Sequence, residues 1–264
     1  MVLRDGDPTL HGLVLVYVDG LLLLMPDDGV KAALQSHLQT LWEMKAGPSL
    51  APGKPVCFIG LELERMQNGD LRIHQQTFIR QLLARYNHEP GKSKGITAIQ
   101  MALPDPAKER APNAKELKQL QTAAGEMNWL ATRTRADLAY YASVLASSST
   151  RYTEWSFQLW AKVLRYLVHT ASDGLVYRAG GSEAELACWS DAGYGGEGTR
   201  AQSGVLIAWG GGVTVWRSSR QHTSALSTCE AEVAAAAVSF QAVDGLRCLL
   251  AEWRIILSSP YPLG

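Results

Sequence analysis

At 264 residues the chain is long enough to bury one large core or two ordinary ones. Apolar residues make up 47% and charged residues 19%, which excludes a disordered polypeptide. Lysine plus arginine and aspartate plus glutamate both number 25, so the formal charge is zero; this argues against nucleic-acid binding through a broad basic surface and leaves room only for a local basic face.

Residues 13–24 read as two apolar strands, LVLVYV and LLLL, around an Asp19-Gly20 turn. The apolar stretch from Gly12 to Met25 is interrupted by Asp19 and is too short to span a bilayer. It follows the acidic RDGDP instead of a basic leader, so neither a signal peptide nor a membrane span is expected. Residues 27–44 carry Val30, Leu34, Leu38, Leu41 and Trp42 at helical spacing, and AGPSLAPGKP (46–55) breaks that helix. VCFIGLELERM is then expected to pair with DLRIHQ across Asn68-Gly69. TFIRQLLARY follows as a short helix with Thr77 as its N-cap.

Residues 91–114 are mixed and rich in proline and lysine, and read as a linker. From 115 to 172 the chain reads as three helices, the last with Trp155, Leu159, Val163 and Leu167 on one face. LVYRAGG, after Asp173-Gly174, is expected to begin a final unit over 173–264. That unit contains a buried strand ELACWSDAGY, strands SGVLIAW and GVTVWRSS joined through Gly210, Gly211 and Gly212, and an alanine-rich helix. The fold class expected is α/β in the broad α+β sense. Residues 1–90 form a first unit, and the sheet of the last unit is left incomplete with an unpaired edge, a route to self-association.

The cysteines at 57, 188, 229 and 248 form no C-x-x-C pair, so they read as buried free thiols of a reducing intracellular compartment, cytoplasmic or nuclear. The tryptophans fall mostly on apolar faces and read as core; the glycine-rich GYGGEG and WGGGV read as turns. Asp191, where a strand opens into DAGYGGEG, and Glu232, on a helix that must pack on the same sheet, are the candidate catalytic pair. Taken alone, an Asp at a turn and a Glu at a helix start are ordinary. Their order, Asp191 on the first strand of a three-strand meander and Glu232 on the helix after it, resembles the opening half of a ribonuclease H-type nuclease. Such enzymes use two divalent ions held by converging carboxylates. Glu230, two residues before Glu232, reads as a first-turn carboxylate favouring the helix dipole.

SDAGYGGEGTRAQSGVLIAWGGGVTVWRSSRQHTSALSTCEAEVAA resembles the ribonuclease H domain of Copia-type retrotransposon polyproteins. The likeness rests on Ser190-Asp191-Ala192, Ser203-Gly204, Trp216, Ser218, Gln221, Ser227-Thr228 and Glu230-Ala231-Glu232, with Arg220 replacing a lysine. It implies that Asp191 and Glu232 bind Mg²⁺ or Mn²⁺, and that Ser227 and Thr228 lie near the backbone of an RNA–DNA hybrid. Two family positions differ, at Gly193 and Val233, without touching those ligands. Upstream, LVLVYVDGLLLL is similar to the Y-V-D-D hairpin of the family's reverse transcriptase palm. There Asp19 stands as a polymerase aspartate and Gly20 replaces its partner. FIGLELERMQNGDLRIHQQTFIRQLLARY and GEMNWLATRTRADLAYYASVLA resemble the family's later hairpin and connection helices, with Ala136 in place of a proline.

What this implies is a fragment of a Copia-type polyprotein: a palm and thumb remnant, a helical connection and a truncated ribonuclease H unit. Gly20 offers no ligand oxygen, and the family's later ribonuclease H acids have no counterpart before the chain ends at RIILSSPYPLG. Both sites are therefore expected to be incomplete, and the isolated chain inactive. One alternative is a non-catalytic binder of RNA–DNA or other A-form duplexes. Another is a nuclease completed by a partner chain.

Overall fold

The computed structural model describes residues 12–25, 27–88, 94–102, 104–180, 185–194 and 200–253, and the account below concerns these. Helices and sheets are mixed along the chain in an α+β arrangement with sheets of two, four and three strands.

Strands β1 (Leu13–Tyr17) and β2 (Gly20–Leu24) pair antiparallel, from Leu13 opposite Leu24 to Tyr17 opposite Gly20. The turn residues are therefore Val18 and Asp19, one position earlier than the expected Asp19-Gly20. Val18 sits at φ 52°, a region that β-branched residues rarely enter. Helix α1 (Asp28–Leu41) is capped by the Asp27 carboxylate, which accepts from the Val30 N–H at 2.9 Å. Its apolar stripe is only partly covered: Val30, Leu34 and Leu38 are half-buried, no residue of α1 is fully buried, and Leu41 and Trp42 are exposed.

The segment expected as one strand before Asn68-Gly69 is two. β3 (Val56–Phe58) and β4 (Leu61–Arg65) form their own hairpin through Ile59 and Gly60, both at positive φ. An isoleucine in that position carries no turn signal, which is why pattern alone reads through it. β4 then pairs with β5 (Leu71–His74) across the Asn68-Gly69 turn, as expected. The fourth strand, β6 (Gly174–Tyr177), pairs antiparallel with β5 and closes the order β3-β4-β5-β6. LVYRAGG thus joins the upstream sheet instead of opening the last unit.

Helix α2 (Gln76–Arg85) is capped from a distance. The Glu62 carboxylate accepts from the Thr77 N–H at 2.7 Å and from the Thr77 hydroxyl at 2.9 Å, so Thr77 is capped and does not itself cap. α2 shares one core with α3 (Ala114–Ala131), α4 (Ala139–Ser148) and α5 (Thr153–Thr170). Asn113 and Glu116 make a reciprocal capping box at the start of α3. The core is built from Ile79, Leu82, Met127, Leu130, Leu145, Leu159, Val163 and Leu167, all buried. Burying each side chain of this size contributes roughly 2 kcal/mol. The described part of the stretch read as a linker is held along these helices: Ile99 is buried, its carbonyl accepts from the Tyr141 hydroxyl, and the Ala102 carbonyl accepts from the Trp155 indole.

A third sheet, in the order β7-β8-β9, comprises β7 (Leu186–Gly193), β8 (Gln202–Trp209) and β9 (Gly212–Arg220). Gly210 and Gly211, both at positive φ, form the β8–β9 turn. Helix α6 (Thr228–Glu252) packs on one face, where Leu246 and Leu250 meet Leu186, Val205 and Ile207. Against the expectation of a buried strand, β7 buries only Leu186 and exposes Cys188 to Asp191. All the cysteines are free, as expected, but exposed instead of buried. The one described helix long and apolar enough to cross a membrane is α6, not the stretch at 12–25. Here its inner side lies on the sheet.

Candidate functional site

Side chains alternate across a strand, so the register of β7 decides which way Asp191 points. Leu186 packs with Leu246 and Leu250, and Ala192 packs with Ala225 and Ala231; both therefore face α6. The same period sends Trp189 and Asp191 to the opposite face, with Leu206 and Gly204 as their partners on β8. Gly204 presents no side chain there, so the carboxylate stands beside open space.

That face meets the connection helices. Trp216, opposite Leu206, donates its indole N–H to the Ala131 carbonyl at the end of α3. The Gln202 amide donates to the hydroxyls of Ser143 on α4 at 3.0 Å and Ser218 on β9 at 2.9 Å. Between the sheet and the start of α4 lies a groove of about 470 Å³, bordered by Asp137, Tyr140, Trp189, Asp191, Gln202 and Arg217, among others. Asp137 is fixed by a two-pronged ion pair with Arg135, at 3.0 and 2.6 Å. Arg135 is itself buried, stacks over Tyr166, and donates to the Thr170 carbonyl and hydroxyl at 3.0 and 2.8 Å. Its pKa is raised: the hydrogen bonds and charge of Asp137, with help from Tyr166 and Asp173, outweigh the largest single influence, burial, which acts downward.

Glu232 lies elsewhere. It follows the fully buried Ala231 on α6, about 100° further around the helix, on an exposed flank outside the groove. Asp191 and Glu232 thus come from elements that pack on each other but are not gathered in one pocket. Among the described residues, no group of three or more His, Cys, Asp or Glu side chains is placed to hold a metal ion. Asp19 is exposed at the tip of the separate β1–β2 hairpin.

The start of α6 is set by local bonds. The Ser227 hydroxyl accepts from the Glu230 N–H at 3.1 Å, and the Glu230 carboxylate accepts from the Leu226 N–H at 2.6 Å. Ser227 is therefore the N-cap; its own O–H stays free to donate, and Thr228 beside it is exposed. Gln221, just past β9, donates to the Ser203 hydroxyl at 2.9 Å and to the Ala231 carbonyl at 2.8 Å, tying β8 to the first turn of α6.

The sequence pattern puts Trp189 in the core and gives Tyr140 and Asp137 no distinguishing signal. The i, i+2 spacing of Trp189 and Asp191 was the available signal, because it puts both on one strand face. Nothing local foretells that α4 brings Tyr140 to the same groove.

Comparison with known proteins places the chain among transposon products. It is 28% identical over 250 residues to a retrovirus-related Pol polyprotein from transposon TNT 1-94 of Nicotiana tabacum, covering 91% of this chain and 18% of the polyprotein. A Ty5-1 transposon protein of Saccharomyces cerevisiae is 26% identical over 210 residues, covering 78% of this chain and 65% of that protein. Secreted RxLR effector protein 161 of Plasmopara viticola is 38% identical over 113 residues, 42% of this chain and 79% of the effector. No protein-family model and no solved structure matches. The chain therefore spans under a fifth of the tobacco polyprotein and just under two thirds of the yeast protein.

Proposed function

The chain is a relative of the Pol polyproteins of Copia-type retrotransposons, and we propose that it is the polyprotein segment joining the end of a reverse transcriptase to the start of a ribonuclease H. In this reading β1–β2 with Asp19 is a palm remnant and β3–β5 with α2 a thumb remnant. The helices α3–α5 are the connection, and β7–β9 with α6 are the first part of the ribonuclease H unit. The isolated chain does not synthesise DNA or cut hybrids. The observation that carries this is the separation of Asp191, in the groove, from Glu232, on the outer flank of α6.

A ribonuclease H of this type needs carboxylates converging on two ions about 4 Å apart. Asp191 borders the groove and Glu232 does not, so among the described residues the pair is not gathered to hold Mg²⁺ or Mn²⁺. At the polymerase hairpin Gly20 replaces a carboxylate, and its backbone pairs with Tyr17. What the segment retains is a surface toward nucleic acid: the exposed Arg217 and Arg220 of β9, and the free hydroxyls of Ser227 and Thr228. An RNA–DNA hybrid is the partner this surface would meet. Four free, exposed thiols favour a reducing intracellular compartment.

The test is cleavage of a labelled RNA–DNA hybrid in Mg²⁺ and in Mn²⁺ by the folded chain, beside Asp191→Asn and Glu232→Gln. No cleavage by any of the three is expected. Cleavage by the wild-type chain that both substitutions abolish overturns the inactive reading.

A further inference from the structure

We propose that the groove beside Asp191 holds an unpaired nucleobase bearing an exocyclic amino group, stacked against Trp189 and Tyr140. The inference rests on the reading of the chain as a nucleic-acid-handling segment and goes beyond it, because it concerns single strands and the recognition of a base.

Two large aromatic side chains remain open to solvent in this one groove, Trp189 at 55% and Tyr140 at 45%. They come from different elements, β7 and α4, and make no ring contact with each other. Tyr140 meets Tyr141 edge-on at 5.3 Å, and Tyr141 is anchored through its hydroxyl to the Ile99 carbonyl. The groove floor is fixed by the Gln202 and Trp216 hydrogen bonds, and Asp137 by Arg135. The aromatic faces are thus exposed over a groove floor that is held by hydrogen bonds. Flat π faces of this kind accept any base by stacking.

The polar lining selects the occupant. Asp191 and Asp137 accept hydrogen bonds and cannot donate them when ionised, and the exocyclic amine of cytosine or adenine supplies such donors. A purely apolar peptide or a second copy docking through apolar side chains would bury the Asp191 carboxylate without a partner, at a cost. A base inside a duplex cannot present both faces to side chains, so the ligand is single-stranded.

The experiment titrates the full chain at low salt with short labelled oligodeoxycytidine and oligodeoxythymidine, reading anisotropy and tryptophan fluorescence. Trp189→Ala, Tyr140→Ala and Asp191→Ala are compared with Trp42→Ala, an exposed control outside the groove, after circular dichroism has confirmed that each is folded. Oligodeoxycytidine is expected to quench fluorescence, and to bind about tenfold more weakly to Trp189→Ala and Tyr140→Ala. A preference for cytosine over thymine, about fivefold, is expected to shrink in Asp191→Ala. Equal affinity in the wild type and both aromatic variants overturns the proposal, as does equal binding of the two oligonucleotides. Quenching that depends on protein concentration without nucleic acid means that a second copy fills the groove, and also overturns it. If hybrid binding fails while the single-strand results hold, the duplex part of the polyprotein reading falls and the groove stands.

Discussion

The Gln221 side-chain amide donates to the Ala231 carbonyl at 2.8 Å, and this bond fixes where α6 begins over the sheet. The same nitrogen reaches the Ser203 hydroxyl at 2.9 Å, so one residue spans β8, the exit of β9 and the helix. Gln221→Ala leaves the buried Ser203 without that donor. We expect a loss of about 1–2 kcal/mol in unfolding free energy, measured by urea denaturation. A loss below a few tenths would mean that solvent replaces the amide without cost.

Arg135 and Asp137 are coupled unequally. Arg135 is 1% exposed and Asp137 about 40%. Removing the aspartate leaves a buried guanidinium with only the neutral Thr170 oxygens as hydrogen-bond partners, whereas removing the arginine leaves a carboxylate that water can reach. Asp137→Ala should therefore destabilise by about 3 kcal/mol. Arg135→Met, which fills most of the volume, should cost less. The reverse order in thermal or chemical denaturation would show that packing of the arginine stem over Tyr166 dominates.

Much of this architecture is legible in the sequence, and the failures have physical causes. Trp155, Leu159, Val163 and Leu167 announce a buried helix face by their spacing and are buried. Gly210-Gly211 and Asn68-Gly69 announce turns because glycine accepts positive φ, and both are turns. Ile59-Gly60 is missed because isoleucine is held at φ 49° by its surroundings and not by preference. The pairing of β6 with β5 joins residues about a hundred positions apart, and no local pattern carries such information. The same holds for the candidate site. Asp191 and Glu232 are identifiable by type and order, while the sheet face that each occupies depends on register and packing.

Val18 supplies a prediction of opposite sign. It is 85% exposed and sits at φ 52°, so it contributes strain and little packing. Val18→Gly or Val18→Asn should stabilise the hairpin by roughly 1 kcal/mol, seen as slower amide exchange across β1 and β2. Faster exchange would mean that the β-branched side chain restricts the unfolded chain more than it strains the folded one.

His74 links stability to pH. Its imidazole is buried; Nδ1 accepts from the Gln76 N–H at 3.3 Å, and Nε2 lies 3.6 Å from a Glu64 carboxylate oxygen. Burial lowers its pKa, helped by Arg72, and outweighs the opposing pull of Glu62 and Glu64. The unfolded chain therefore binds the proton more readily than the folded one. This contribution to stability is present above the ordinary value of 6.5 and is lost as pH falls through the lower folded pKa. Denaturation midpoints measured from pH 7.5 to 5 should fall more for the wild type than for His74→Gln. Parallel curves would show that the flanking glutamates hold the imidazole at its ordinary affinity.

The free edge of β7 supplies the last prediction. Among the described residues β7 pairs only with β8, and its outer backbone runs past the exposed Cys188, Trp189 and Ser190. Unpaired strand edges with few charges template further pairing, and a lysine on the edge opposes it. The chain should therefore sediment as a concentration-dependent mixture of monomer and dimer under reducing conditions. Ser190→Lys, at an exposed position, should return it to a monomer without lowering its unfolding midpoint. If the wild type is a monomer at all concentrations, the twist or the side chains of β7 protect the edge.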